Sequence, residues 1–216
     1  MVRLQKKLVL VTVMFLTMLL PAAGTAAGSR ESHWQPLFRQ YLTTDYLIDF
    51  TIMGKPLATQ EQCVKYLLRR TPMPLLTVSP EQLVEYYYIE GELEGIRPDI
   101  AFAQALHETG NFRYGGDVVP IQNNFAGIGT TGGGVKGAWF ETAQLGVRAQ
   151  IQHLLAYAST RPPKLPIVDP RYEMVKKTAN FGRAKTWTDL NGKWAVPGKT
   201  YGQMILTIHQ RILLEQ

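Results

Sequence analysis

One glutamate closes an apolar, alanine-rich stretch: Glu108 in Ala103-Gln104-Ala105-Leu106-His107-Glu108-Thr109-Gly110. Ile100, Ala103, Leu106 and His107 recur at helical spacing, and Arg97-Pro98-Asp99 ahead of them reads as a helix start with proline in the first turn. Gly110 reads as the glycine just past the helix end. Glu108 therefore falls in the last turn, facing the negative end of the helix dipole. Its apolar neighbours strip it of water. Both effects favour the protonated carboxyl, which is the state a general acid needs near neutral pH. The plainer reading of the same pattern is a solvated glutamate at a frayed helix end.

Other chemistries find little support. The four histidines, His33, His107, His153 and His209, are scattered with no HExxH pairing, and one cysteine cannot build a thiolate zinc cluster. No metal or other cofactor is implied. Neither a P-loop nor a GxGxxG turn is present, so nucleotide chemistry is not indicated. Cys63 lies in Glu61-Gln62-Cys63-Val64-Lys65-Tyr66, a helical pattern in which it reads as a small buried hydrophobe.

Several elements must position Glu108. Thr59 with Gln62 three residues on forms a capping box for a helix to about Arg70. Ser79-Pro80-Glu81 starts the next helix, with Leu83, Val84, Tyr87 and Tyr88 on its apolar face. The helix that ends at Glu108 reads as central. Residues 111–137 hold eight glycines and predict turns with one short hairpin, Phe125 to Ile128 against Val135 to Phe140. Helix returns from Thr142 to Tyr157 and again from Tyr201 to Leu214. The fold class expected is α+β, mainly helical, with a small Gly-rich β element.

The N-terminus has its own plan. Arg3, Lys6 and Lys7 precede a 13-residue apolar run, Leu8 to Leu20, and then Pro21 and small residues. This is the layout of a secretory signal peptide, and the run is short for a spanning helix. An uncleaved anchor is the alternative. Those three basic residues account for half of the net charge of +6, so the rest of the chain is only mildly basic. Such a charge suits an anionic cell wall or membrane surface, while no dense Lys/Arg cluster points to nucleic acid.

Four blocks in order resemble the glucosaminidase family, glycoside hydrolase family 73. They are Ala103 to Gly110, Gln122-Asn123-Asn124-Phe125-Ala126-Gly127-Ile128-Gly129, Gly146 to Leu154, and Trp194-Ala195-Val196-Pro197-Gly198 with Tyr201-Gly202 and Ile205. The resemblance implies a lysozyme-like fold and hydrolysis of peptidoglycan glycan strands at the β-1,4 bond on the reducing side of N-acetylglucosamine. It implies Glu108 as the catalytic acid, with Tyr201 beside the scissile bond. Asn124 and Phe125 match the family's Asn-x-Phe-x-Gly-Ile block. They are expected either to bind substrate or to serve as a turn amide and a core aromatic. Trp139, Trp187 and Trp194 are candidates to stack on sugar rings.

One departure stands out. Two-carboxylate glycosidases set a second acid across the cleft, and many relatives carry one in the hairpin after the Asn-Phe block. Here 127–138 has none, and only Asp117 and Glu141 flank it. The expected organisation is a signal peptide at 1–28, an N-terminal helical arm packed on the core at 29–84, and a catalytic domain at 85–216. The expected protein is a secreted or wall-associated hydrolase of peptidoglycan, with no stable membrane insertion after processing. A lytic transglycosylase, a non-catalytic wall-binding module and a scaffold without a sugar site are the alternatives.

Overall fold

The computed structural model describes residues 51–216. The leader expected at 1–28, and the part of the arm before residue 51, lie outside the described residues. Six α-helices follow: α1 (Gln60–Arg70), α2 (Pro80–Glu94), α3 (Pro98–Glu108), α4 (Ala143–Ala158), α5 (Tyr172–Lys176) and α6 (Tyr201–Leu213). Single 3-10 turns occupy Pro120–Gln122 and Trp187–Leu190. No described helix is long and apolar enough to cross a membrane.

The helix starts are local chemistry. Thr59 accepts the Gln62 N–H while the Gln62 side chain accepts the Thr59 N–H, so two orphan donors of α1 are satisfied reciprocally. Ser79 and Thr142 cap α2 and α4 through the N–H groups of Gln82 and Leu145. Pro80 and Pro98 open α2 and α3 where a missing N–H costs nothing.

Helix α3 is the core of the domain: every residue from Pro98 to Leu106 is buried. Helices α2 and α6 pack against it, and α4 lies along α2. Its buried N-terminus is held by Asp99, whose carboxylate accepts the Leu57 N–H at 2.8 Å, the Ala58 N–H at 3.0 Å and His209 Nε2 of α6 at 2.7 Å. Between α2 and α4, the buried Glu90 takes a two-pronged contact from Arg148 at 2.8 and 2.9 Å and a third from Gln144 at 2.8 Å. Cys63 is buried in α1, and burial pushes its thiol up to about 12, the state of an inert core residue.

The expected hairpin is replaced by a looped structure. Among the described residues the only β pairings are isolated bridges, Thr51 with Thr186, Met53 with Ile96, and Asn191 with Ala195. Between 125 and 140 a single ladder-like bond, Ala138 N–H to the Ile128 carbonyl at 2.8 Å, closes the loop. Glycines 127, 129, 132, 133, 134 and 137 all have positive φ, which breaks the extended run a strand needs. Side chains substitute for the ladder. Asn124 accepts the Ile128 N–H at 2.9 Å and donates to the Ile128 and Ala138 carbonyls, and Gln122 donates to the Lys136 carbonyl at 2.6 Å.

Candidate active site

Glu108 is the last residue of α3. The chain turns away there in a Schellman arrangement. The Asn111 N–H bonds the Leu106 carbonyl at 2.7 Å, the Gly110 N–H bonds that of His107 at 3.4 Å, and Gly110 takes φ +60°. This abrupt end leaves the Glu108 carboxyl facing open space. Two cavities meet at it. The larger, about 390 Å³, also has Ala126 to Thr131, His153, Tyr157, Arg171, Lys193 and Trp194 to Val196 around it. The smaller, about 210 Å³, is bounded by Thr109, Gly110, Tyr114, Gly116 to Val118, Gly127 and Thr130.

The two oxygens of Glu108 differ. Oε1 accepts a short hydrogen bond from the Tyr201 hydroxyl at the start of α6. Oε2 lies toward Gly127, a residue of both cavity walls; a methyl group there would sit 3.7 Å from Oε2. Glu108 is raised above the usual carboxylate range. Desolvation by the surrounding protein is the largest cause, and the Tyr201 hydroxyl and Trp194 indole oppose it. With Oε1 occupied as an acceptor, a proton on the acid resides on Oε2, the oxygen that faces the cleft.

A buried polar chain sets this arrangement. The Tyr87 hydroxyl donates to Gln150 Oε1 at 2.5 Å, Gln150 Nε2 donates to Gln104 Oε1 at 2.8 Å, and Gln104 Nε2 donates to the Tyr201 hydroxyl at 2.8 Å. Gln150 Nε2 also donates to the Ala101 carbonyl at 3.0 Å. Gln104 and Gln150 are wholly buried, and Tyr201 is 4% exposed. Each donor commits the next group to a single role. Because Tyr201 accepts from Gln104, its one proton goes to Glu108. Tyr201 thus holds the acid from behind; it is a positioning residue.

Tyr201→Phe removes a bond that favours the charged carboxylate, so the Glu108 acid becomes weaker. Were Glu108 to serve as a general acid, active below its pKa, the alkaline limb of kcat/KM would move to higher pH while kcat falls. A pH–rate profile checks this; a limb that stays in place contradicts the role assigned to Tyr201.

The other expected site residues land as follows. Asn124 and Phe125, expected as substrate-binding residues, are 1% and 2% exposed and are spent on protein. Asn124 ties the loop as described, and Phe125 packs edge-on against Phe112 at 6.0 Å in the core. They shape the wall and do not line it. Trp139 is 55% exposed and lines neither cavity. Trp187 is fully buried and so is no sugar platform. Trp194 does line the larger cavity, stacked near-parallel to Tyr201 at 6.4 Å and edge-on to His153 at 4.7 Å. Asp117 borders the smaller cavity, with its Oδ1 holding the Gly134 N–H at 3.0 Å; Glu141 is exposed and borders neither.

Several site residues carried no signal of their own in the sequence. Gln104 and Gln150 sit inside the recognised blocks, and a glutamine on an apolar helix face was the only hint. His153 pairs through Nδ1 with the buried Asp169 at 2.7 Å, and Asp169 Oδ1 accepts the Arg171 N–H at 2.9 Å. Arg171 and Lys193 come from segments without periodicity, and only the tertiary fold brings them to the cavity.

Comparisons with known proteins identify the family. The sequence model of the glucosaminidase family, described as mannosyl-glycoprotein endo-beta-N-acetylglucosaminidase, matches residues 84–214. An uncharacterized protein of Borreliella burgdorferi (strain B31) is 41% identical over 155 residues, which are 72% of this chain and 71% of that protein. No solved structure matches. The family match runs from the middle of α2 to the end of α6 and takes in Glu108, Tyr201 and both cavity walls, and the chain belongs to the glucosaminidase family.

Proposed function

We propose that this protein is an exported hydrolase of peptidoglycan that cuts the β-1,4 bond on the reducing side of N-acetylglucosamine, with Glu108 as the general acid. Export through the leader of residues 1–28 belongs to the same proposal, as does a lysozyme-like arrangement of the helices around the cleft. The observation that carries the reading is the state of Glu108. It is the acid at which both cavities meet, its Oε1 is engaged by Tyr201, and, although the residue is exposed to the cleft, desolvation by the protein around it favours its protonated form.

The proton on Oε2 passes to the glycosidic oxygen as the bond to the anomeric carbon breaks. Glu108 then accepts a proton from water in the second half of the reaction. For the first half a nucleophile is needed. No acid stands in 127–138, and Glu141 lies outside both cavities. The 2-acetamido group of the N-acetylglucosamine can attack its own anomeric carbon, a known route among glycosidases. Asp117 is the competing group, acting as a base toward water.

The two routes differ in outcome. Substrate assistance is a double displacement and retains the β configuration; direct attack by water activated at Asp117 inverts it. Purified walls are expected to clear on addition of the protein, and early proton NMR of the product is expected to show the β anomer first. A first-formed α anomer, with activity lost in Asp117→Asn, overturns the acetamide route. Walls that neither clear nor release fragments overturn the hydrolase reading itself.

A further inference from the structure

The two cavities that meet at Glu108 carry opposite charge. The larger one holds two cationic side chains, Arg171 and Lys193, and its one acidic lining residue is Glu108. The smaller one holds no cation, and beside Glu108 its charged lining residue is Asp117. Neither Arg171 nor Lys193 makes a salt bridge among the described residues.

Neither nearby acid forms an ion pair with these two cations. Asp169, next to Arg171, has a fully buried side chain, with Oδ2 on His153 and Oδ1 on backbone N–H. Asp189 is close enough to attract Lys193 without an ion pair, and its Oδ2 accepts the Lys185 and Thr186 N–H groups at 2.9 and 2.8 Å. Arg171 follows Asp169-Pro170 at the start of α5, and Lys193 precedes Trp194, so each cation is presented by a constrained turn. Trp194, half-buried, lines the same cavity and offers a ring that suits a sugar face.

A neutral glycan gains little from two unpaired cations in its cleft. A peptidoglycan strand differs from a neutral chitin chain in the carboxylates on its muramyl units, on the lactyl ether or on the peptide attached to it. We infer that the larger cavity is the muramyl subsite, in which Arg171 and Lys193 pair with a carboxylate of the muramyl substituent. The inference rests on the proposed glucosaminidase reading and gives the cleft a direction. Of the two sugars flanking the scissile bond, the muramyl unit lies over Arg171 and Lys193, and the neutral N-acetylglucosamine lies on the side of Asp117, which repels a carboxylate.

Binding to Glu108→Gln protein tests this with turnover suppressed. Three oligosaccharides of equal length are compared by calorimetry: a neutral chitin oligomer, a muramyl-containing oligomer with free lactyl carboxylates, and the same oligomer bearing peptides. Arg171→Gln with Lys193→Gln in that background is expected to weaken a carboxylate-bearing oligomer by about tenfold or more relative to chitin, the usual scale for charged hydrogen bonds. Loss confined to the second oligomer assigns the lactyl carboxylate, and loss confined to the third assigns the peptide. Arg171→Lys with Lys193→Arg keeps both charges and is expected to restore most of the difference. Equal weakening of all three oligomers, no weakening of any, or no binding at all overturns the subsite. Failure of the wild-type protein to cleave any strand sinks the hydrolase reading separately, because these affinities do not depend on cleavage.

Discussion

Glu108→Gln is expected to lower kcat on cell-wall glycan by about 10²- to 10⁴-fold, the usual cost of losing a general acid. The amide keeps the shape of the side chain and can still accept the Tyr201 hydroxyl through its carbonyl oxygen. What it cannot do is give a proton to the leaving oxygen from the position of Oε2. The thermal midpoint should therefore stay close to wild type, since no buried partner is orphaned. Turnover near the wild-type value with an unchanged melting curve removes Glu108 from the chemistry.

The second large effect is on stability. Asp99→Ala leaves the buried His209 ring and the Leu57 and Ala58 N–H groups without their acceptor at the start of the central helix. Breaking such a buried pair is expected to cost about 3 kcal/mol or more, measured by urea unfolding. The pH dependence has a definite sign. Burial alone would raise the Asp99 carboxyl, but the His209 hydrogen bond and charge, with the Ala58 and Leu57 N–H groups, outweigh it and hold it below the usual range. Its contribution is present in full above the ordinary aspartate value of about 3.9 and is lost as pH falls through the depressed folded value. The difference between wild type and Asp99→Ala should therefore narrow in strong acid. A difference that is constant with pH contradicts the role of the charged carboxylate.

Much of the helical frame was legible because its signals are local. Thr59 and Ser79 cap the helices that follow and Gly110 ends α3, as their positions suggested, while Thr142, expected as the first residue of its helix, is its cap. The same logic placed Glu108 at a helix end beside a glycine-rich wall. The expected hairpin is absent for an equally local reason: the apolar positions of 125–140 suggest strands, but the intervening glycines adopt positive φ that no ladder accepts. Asn124 and Phe125 were recognised as part of the site's sequence block, yet burial gives them to the loop and the core. A block marks a neighbourhood and does not say which side chains face outward.

Gln104, Gln150 and Tyr87 belong to three different helices, and nothing in any one segment says that their amides and hydroxyl meet. Their effect on Glu108 is carried by a chain of directed hydrogen bonds that exists only after α2, α3, α4 and α6 have packed. Arg171, Lys193 and the His153–Asp169 pair are of the same kind. Arg171, Lys193 and Asp169 lie in segments whose sequence is irregular while His153 lies in α4, and it is the tertiary structure that brings His153, Arg171 and Lys193 to one cavity and Asp169 to His153.

The bond that this protein cuts is tested most directly by the identity of the sugar ends released from peptidoglycan. Strands of defined composition are digested, reduced with borohydride and analysed by mass spectrometry. Each cut is expected to add one water and to leave N-acetylglucosamine as the new reducing end. A 1,6-anhydro end on the muramyl sugar, or a new reducing end that is N-acetylmuramic acid, contradicts it.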